Sequence, residues 1–146
     1  MASTDQHIAL ANRHQSTLAV LLADAAAHPE WVTIVAFYKA LQLVDACLAV
    51  LGESPPSTHG ERKRALLGTR QMSNIWKHYR DLKNASMVAR YLTGDDRRKY
   101  SSFAAFISGS KAESTMVRHR LVQIEKSAKK ILKKAADPLA PAVPSS

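Results

Sequence analysis

Apolar positions repeat with the period of an α-helix along almost the whole chain. Between residues 5 and 27, Ile8, Ala11, Leu18, Leu22 and Ala25 fall on one stripe. His28-Pro29 interrupts that pattern, and Pro29 suits the first turn of a new helix, where its missing N–H has no partner to lose. From Glu30 to Leu51 the pattern is apolar nearly all round, with Trp31, Ile34, Val35, Phe37, Tyr38, Leu41, Val44, Leu48 and Leu51. A helix without a polar face belongs at the buried centre of a bundle. Gly52 ends it, and Glu53-Ser54-Pro55-Pro56 reads as a tight loop.

Thr58-His59-Gly60-Glu61 has the Thr-x-x-Glu form of a capping box, which predicts a helix from about His59 to Leu67 and a break near Gly68-Thr69. The next helix runs from about Gln71 to Leu92, with Met72, Ile75, Tyr79, Leu82, Ser86 and Ala89 inward. Thr93-Gly94-Asp95-Asp96 stops it, and a short helix carries Tyr100, Phe103, Phe106 and Ile107. A last helix spans about Ala112 to Ala135, with Val117, Leu121, Ile124, Ala128, Ile131 and Ala135 inward and His119, Gln123, Lys126, Lys130 and Lys133 outward. Residues 137–146, rich in Pro, Ala and Ser, are expected to be a disordered tail. The pattern as a whole predicts an all-α bundle of about five helices, one domain over residues 1–136, around a near-fully buried central helix at residues 30–51. Packing in a dimer is one way to cover that helix on every side.

Composition narrows the chemistry. A chain of 146 residues is long enough for one real core, and five glycines and six prolines leave few strand-turn signals. The single Cys47 excludes an internal disulfide and any multi-cysteine zinc site, and its apolar surroundings predict a buried, inert thiol. His7 and His14 share a helix face but lack acidic or Cys companions at ligand spacing, so no metal site is expected, nor any other cofactor. Neither a Gly-rich phosphate loop nor a Ser-containing nucleophile elbow occurs. No apolar stretch approaches the roughly 20 residues of a membrane span, and the start lacks a basic leader region. A cytoplasmic location without membrane contact is the resulting expectation.

Charge changes the picture most. Residues 1–59 carry two basic side chains, Arg13 and Lys39, against five acidic ones, a net of −3; residues 60–146 carry 19 basic against seven acidic, a net of +12. An apolar, weakly acidic front joined to a cationic rear points to a polyanionic partner, nucleic acid first. Lys77, Arg80 and Lys83, interleaved with Trp76 and Tyr79, are candidates for RNA contact, although both aromatics also fit the core stripe. Lys126, Lys130 and Lys133 form the second candidate patch, near a helix end where cations are favoured in any case.

Three further groups carry polar chemistry. Tyr38, Gln42 and Asp45 lie on one side of the otherwise apolar central helix, and Ser86 falls on an inner stripe. A buried carboxylate needs a partner, which for Asp45 is Arg62 or Arg90. His59-Gly60-Glu61-Arg62 opens a helix, where unpaired N–H groups and an Arg suit an anion, and where a His can work as acid or base.

The order of these elements resembles small bacterial and archaeal HEPN-type helical proteins. The resemblance rests on Trp31 with Ala36-Phe37-Tyr38-Lys39-Ala40-Leu41-Gln42-Leu43-Val44-Asp45-Ala46, then Thr58-His59-Gly60-Glu61-Arg62, then Tyr79, Leu82, Ser86 and Ala89-Arg90-Tyr91, covering residues 29–92. It implies a four- or five-helix bundle, usually a homodimer with a groove between protomers. Many members are ribonucleases of toxin–antitoxin, phage-defence or RNA-processing systems, and others are inactive binding modules, often paired with a small nucleotidyltransferase as antitoxin. The active members place an Arg, about four to six residues, then a His on one helix. This chain departs from that pattern: its nearest case, Arg70 to His78, has seven residues between. The resulting expectation is a non-catalytic module that binds nucleic acid or a partner protein. The alternatives are a metal-independent RNA endonuclease, with His59 as acid/base and Arg62 and Arg90 on the phosphate, and a helical protein–protein scaffold.

Overall fold

Ser3 starts the first helix with a reciprocal cap: its hydroxyl accepts from the Gln6 N–H at 3.2 Å, and the Gln6 carboxamide accepts from the Ser3 N–H at 2.7 Å. That helix, α1 (Thr4–Leu22), buries Ile8, Ala11 and Leu18, together with the polar Gln15. The computed structural model describes residues 2–143, and in it α1 lies along α2 (Pro29–Val50). Pro29 stands in the first turn of α2, as its missing N–H allows.

Helix α2 is the spine of an all-α bundle, as its pattern requires. Phe37, Leu43, Val44 and Cys47 are completely buried, and each large side chain removed from water contributes about 1.5–3 kcal/mol. The helix has 22 residues and a mean hydropathy of 1.6 in its most apolar window, long and apolar enough to cross a membrane. This corrects the expectation that no apolar stretch approaches the length of a membrane span; the helix reaches it even with Lys39 and Asp45 inside. In the fold α1, the helix Ser73–Tyr91, a π-helical stretch and the helix Val122–Leu132 surround it, and that cover accounts for its apolarity.

Thr58 caps α3 (His59–Gly68), accepting from the Glu61 N–H at 3.1 Å. The second half of the expected capping box forms one residue earlier. Glu61 accepts from the Ser57 N–H at 2.7 Å and the Ser57 hydroxyl at 2.8 Å, and these bonds hold its carboxyl below the usual range. A short turn leads to α4 (Ser73–Tyr91), which buries Ile75, Tyr79, Leu82, Ala85, Ser86 and Val88 and ends at Leu92 in a left-handed conformation, φ 57°. In the loop that follows, Asn84 Oδ1 accepts from the Asp95 N–H at 2.7 Å. A Cβ at Gly94 would stand 2.9 Å from that oxygen, so any larger residue there has to push the Asn84 carboxamide aside.

Two single turns, α5 (Phe103–Phe106) and α6 (Gly109–Lys111), precede the rear of the bundle. The sequence predicts one regular helix over 112–135; the backbone differs. Residues Ala112–Leu121 are π-helical, with the Val122 N–H reaching the Val117 carbonyl five residues back, and only then does α7 (Val122–Leu132) begin. The wider turn puts Ala112, Met116, Val117 and Leu121 inside. Lys133, at φ 54° and ψ −123°, redirects the chain into a last turn. Leu132 and Ala136 are therefore buried, while Ile131 and Ala135, expected inward, are half-buried.

The expectation of a disordered tail is corrected over residues 137–143. Leu139 and Ala142 are buried against the main core, at 7% and 1% exposure. Residues 144–146 of that tail lie outside the described residues. The segment is ordered because polar side chains on α1, α2 and α7 accept and donate to its backbone, which composition cannot reveal.

Candidate nucleic-acid interface

Two polar regions flank α4, and the first gathers most of the candidate residues. Asp45 of α2 is paired with Arg62, whose Nε donates to Oδ1 at 2.8 Å and Nη2 to Oδ2 at 3.0 Å. Both side chains are about nine-tenths buried. Burial works against the Arg62 charge, but the hydrogen bonds and charge of Asp45 outweigh it and raise its pKa. Arg62 reaches Asp45 from the first turn of α3, a helix that itself packs on α4.

Arg90 takes a different place. Its Nε donates to the Ser86 carbonyl at 3.2 Å and its Nη1 to the Tyr38 hydroxyl at 3.4 Å. The guanidinium lies 5.9 Å from the Tyr38 ring centre and 5.1 Å from that of Tyr91. Tyr91 and the nearby Trp31 are each more than half exposed, and with Ile34 and Arg90 they border a shallow groove of about 470 Å³. Gln42, further along α2, accepts at its Oε1 from His7 Nδ1 at 2.7 Å.

His59 is exposed at the α3 N-terminus, with its ring 6.1 Å from that of Phe37. Partial burial lowers its pKa, and Arg62, Lys83 and Arg90 lower it further against the opposing Asp45. The imidazole is thus biased toward its neutral, proton-accepting form. The buried Ser86 Oγ and Tyr79 hydroxyl have no hydrogen-bond partner among the described residues. Burial pushes the Tyr79 pKa up to about 12, so that phenol stays protonated. Of the three candidate catalytic residues, His59 is accessible and Arg90 half-buried. Arg62 is only 7% exposed, its fork already occupied by Asp45, which fits a structural ion pair rather than a phosphate contact.

The second region is a cleft of about 390 Å³ between α4 and α7. Lys77 and His78 line it from α4, and Gln123, Lys126, Ser127 and Lys130 from α7, with no carboxylate in the lining. His78 Nδ1 lies 3.1 Å from Arg120 Nη1, and the His78 and His119 rings meet edge to face at 5.4 Å. Arg120 also bonds Asp81 at 2.8 Å. Burial, with Arg120, His119 and Lys77, lowers the His78 pKa against Asp81. No pattern in the sequence links His78 to His119, 41 residues on; helix packing alone joins them.

The six cationic candidates divide accordingly. Lys77, Lys126 and Lys130 converge on the cleft. Lys133 is exposed beyond the end of α7, outside that lining. Arg80 is exposed, 3.6 Å from Asp81. Lys83 faces the other region, near Asp95 at 3.9 Å and within reach of His59. Lys77, Arg80 and Lys83 do not gather in one region, because six residues at about 100° each carry Lys83 well round the helix from Lys77. No family model, no curated protein and no solved structure matches this chain, so the reading of its function rests on its own residues.

Proposed function

We propose that this chain is a non-catalytic, HEPN-like module that binds nucleic acid in a toxin–antitoxin or defence setting. The observation that carries this reading is the α4–α7 cleft, where Lys77, Lys126 and Lys130 line one opening free of carboxylates. Such a site attracts phosphates and releases their counterions. The half-exposed aromatics beside Arg90 suit stacked bases on the other flank of α4. Binding to a labelled single-stranded RNA, measured across a salt series, tests it. Affinity is expected to fall steeply with salt, with a log–log slope near −0.7 per phosphate engaged. Replacing Lys77, Lys126 and Lys130 by Ala is expected to flatten that slope by about 2, three contacts' worth. Binding indifferent to salt, or to the triple substitution, rejects the cleft as the footprint.

A metal-independent RNA endonuclease is the second reading, favoured by the neutral bias of His59 and His78. In that reaction the 2′-hydroxyl attacks phosphorus, a neutral imidazole takes its proton, and a protonated one returns a proton to the departing 5′-oxygen. The products are a 2′,3′-cyclic phosphate and a 5′-hydroxyl. Labelled RNA incubated in EDTA checks it: cleavage abolished by His59→Ala places the reaction at the α3 corner. Cleavage abolished instead by His78→Ala and His119→Ala places it in the cleft, and RNA left intact removes the reading.

A further inference from the structure

The most demanding polar construction in the molecule lies away from both regions. Lys39, on the spine helix, has no exposed surface, and its ammonium makes three hydrogen bonds: to Gln15 Oε1 at 2.7 Å, Glu125 Oε2 at 2.8 Å and the Ala140 carbonyl at 2.8 Å. Three donors thus meet three acceptors. The other carboxylate oxygen of Glu125 accepts from the Ala142 N–H at 3.0 Å, and Gln15 Nε2 donates to the Ala142 carbonyl at 3.4 Å. Asn12 holds the same segment from its other side, donating to the Pro138 carbonyl at 2.8 Å and accepting from the Ala140 N–H at 2.8 Å. Every one of these bonds to residues 138–142 goes to backbone, none to a side chain.

We propose that Asn12, Gln15, Lys39 and Glu125 form a binding cradle for an irregular, proline-spaced peptide, occupied in this structure by the chain's own residues 138–143 as an exchangeable ligand. Three observations carry it. First, the cradle reads backbone at alternate residues, so what it selects is a chain with small side chains at the positions of Ala140 and Ala142. Leu139 supplies one apolar anchor, at 7% exposure. Second, Pro138 and Pro141 fix φ and offer no N–H, and the N–H groups the cradle uses belong instead to Ala140 and Ala142. A segment stiffened in this way loses little entropy on docking. Third, an empty cradle would leave a buried ammonium short of one acceptor and a buried carboxylate short of one donor. Refilling it is therefore favourable.

The means of exchange are also present. The strap joins the bundle through Lys133, whose φ of 54° is unfavourable for a residue with a Cβ. Only Leu139 and Ala142 of the strap are buried, so its opening costs far less than unfolding the core. The inference is independent of the nucleic-acid reading, since the cradle faces α1 and the strap rather than the lysine cleft.

The test uses the full chain with Leu139→Asp and Ala142→Asp, which eject the strap by placing charge in its buried positions. A fluorescent peptide with the sequence of residues 137–143 is titrated in and followed by anisotropy. It is expected to bind this variant at least tenfold more tightly than the unaltered chain, whose own strap competes at roughly millimolar effective concentration. Adding Lys39→Met and Glu125→Leu to the variant is expected to abolish that binding. Equal binding to both chains overturns the proposal, as does no binding to a variant that keeps the parent helical spectrum and cooperative unfolding. Should the variant fail to fold, amide hydrogen exchange on the unaltered chain decides. The Ala140 and Ala142 amides are expected to exchange at least a hundredfold faster than those of Ala40–Val44. Exchange in step with that core overturns the proposal equally.

Discussion

Replacing Glu125 by leucine is expected to destabilise the fold by about 3–5 kcal/mol, the usual consequence of leaving a buried charge without its counter-ion. Lys39 is fully buried, and burial already lowers its pKa, with Glu125 as the chief opposing influence. Without that carboxylate the ammonium keeps only Gln15 and the Ala140 carbonyl, and the Ala142 N–H loses its acceptor as well. Urea unfolding at neutral pH measures the deficit. The sign of its pH dependence is also fixed. As pH rises toward 10, the folded variant sheds the Lys39 proton while the unfolded chain still holds it, so the variant regains stability. Lys39→Met together with Glu125→Leu is expected to recover most of the loss, because a buried ion pair exchanged whole for apolar groups is often neutral. A single substitution costing under about 1 kcal/mol would mean that water reaches the ammonium.

Asp45→Ala should be nearly as damaging, again about 3–5 kcal/mol, and for a reason that makes it worse than its mirror image. It strands the Arg62 guanidinium, 7% exposed and unable to lose its proton under ordinary conditions. Arg62→Met removes the group that is confined to its charged form. Equilibrium unfolding at pH 7 compares the two, and the Asp45→Ala deficit is expected to be the larger. Equal deficits would argue that the ion pair acts only by packing.

These two ion pairs mark where sequence reasoning reaches and where it stops. The need of Asp45 for an arginine was legible, because an acid on a helix with no polar face has to be neutralised. The choice between Arg62 and Arg90 was not, since both lie at workable positions and only the reach of Arg62 from the first turn of α3 selects one. Lys39 gave no signal at all. A lysine on a largely apolar helix ordinarily reaches solvent along its own stem, and its partners stand 24, 86 and 101 residues away. The lysine cleft was half legible. Lys126 and Lys130 share a face by spacing, but Lys77 joins them through packing, while Arg80 and Lys83 turn elsewhere.

The sequence by itself determined the all-α bundle, the central position of residues 30–51, the helix start at the Thr58 cap, and the concentration of positive charge behind residue 60. Those features follow from local period, capping and composition, which act over a few residues. Tertiary structure alone decided the π-helical turn before α7, the His78–His119 contact, the partner of Asp45 and the seating of residues 138–143 on Lys39 and Glu125. Each depends on groups far apart in the chain meeting at hydrogen-bond or ring-contact distance, and the desolvation that makes such meetings obligatory exists only once the core has closed.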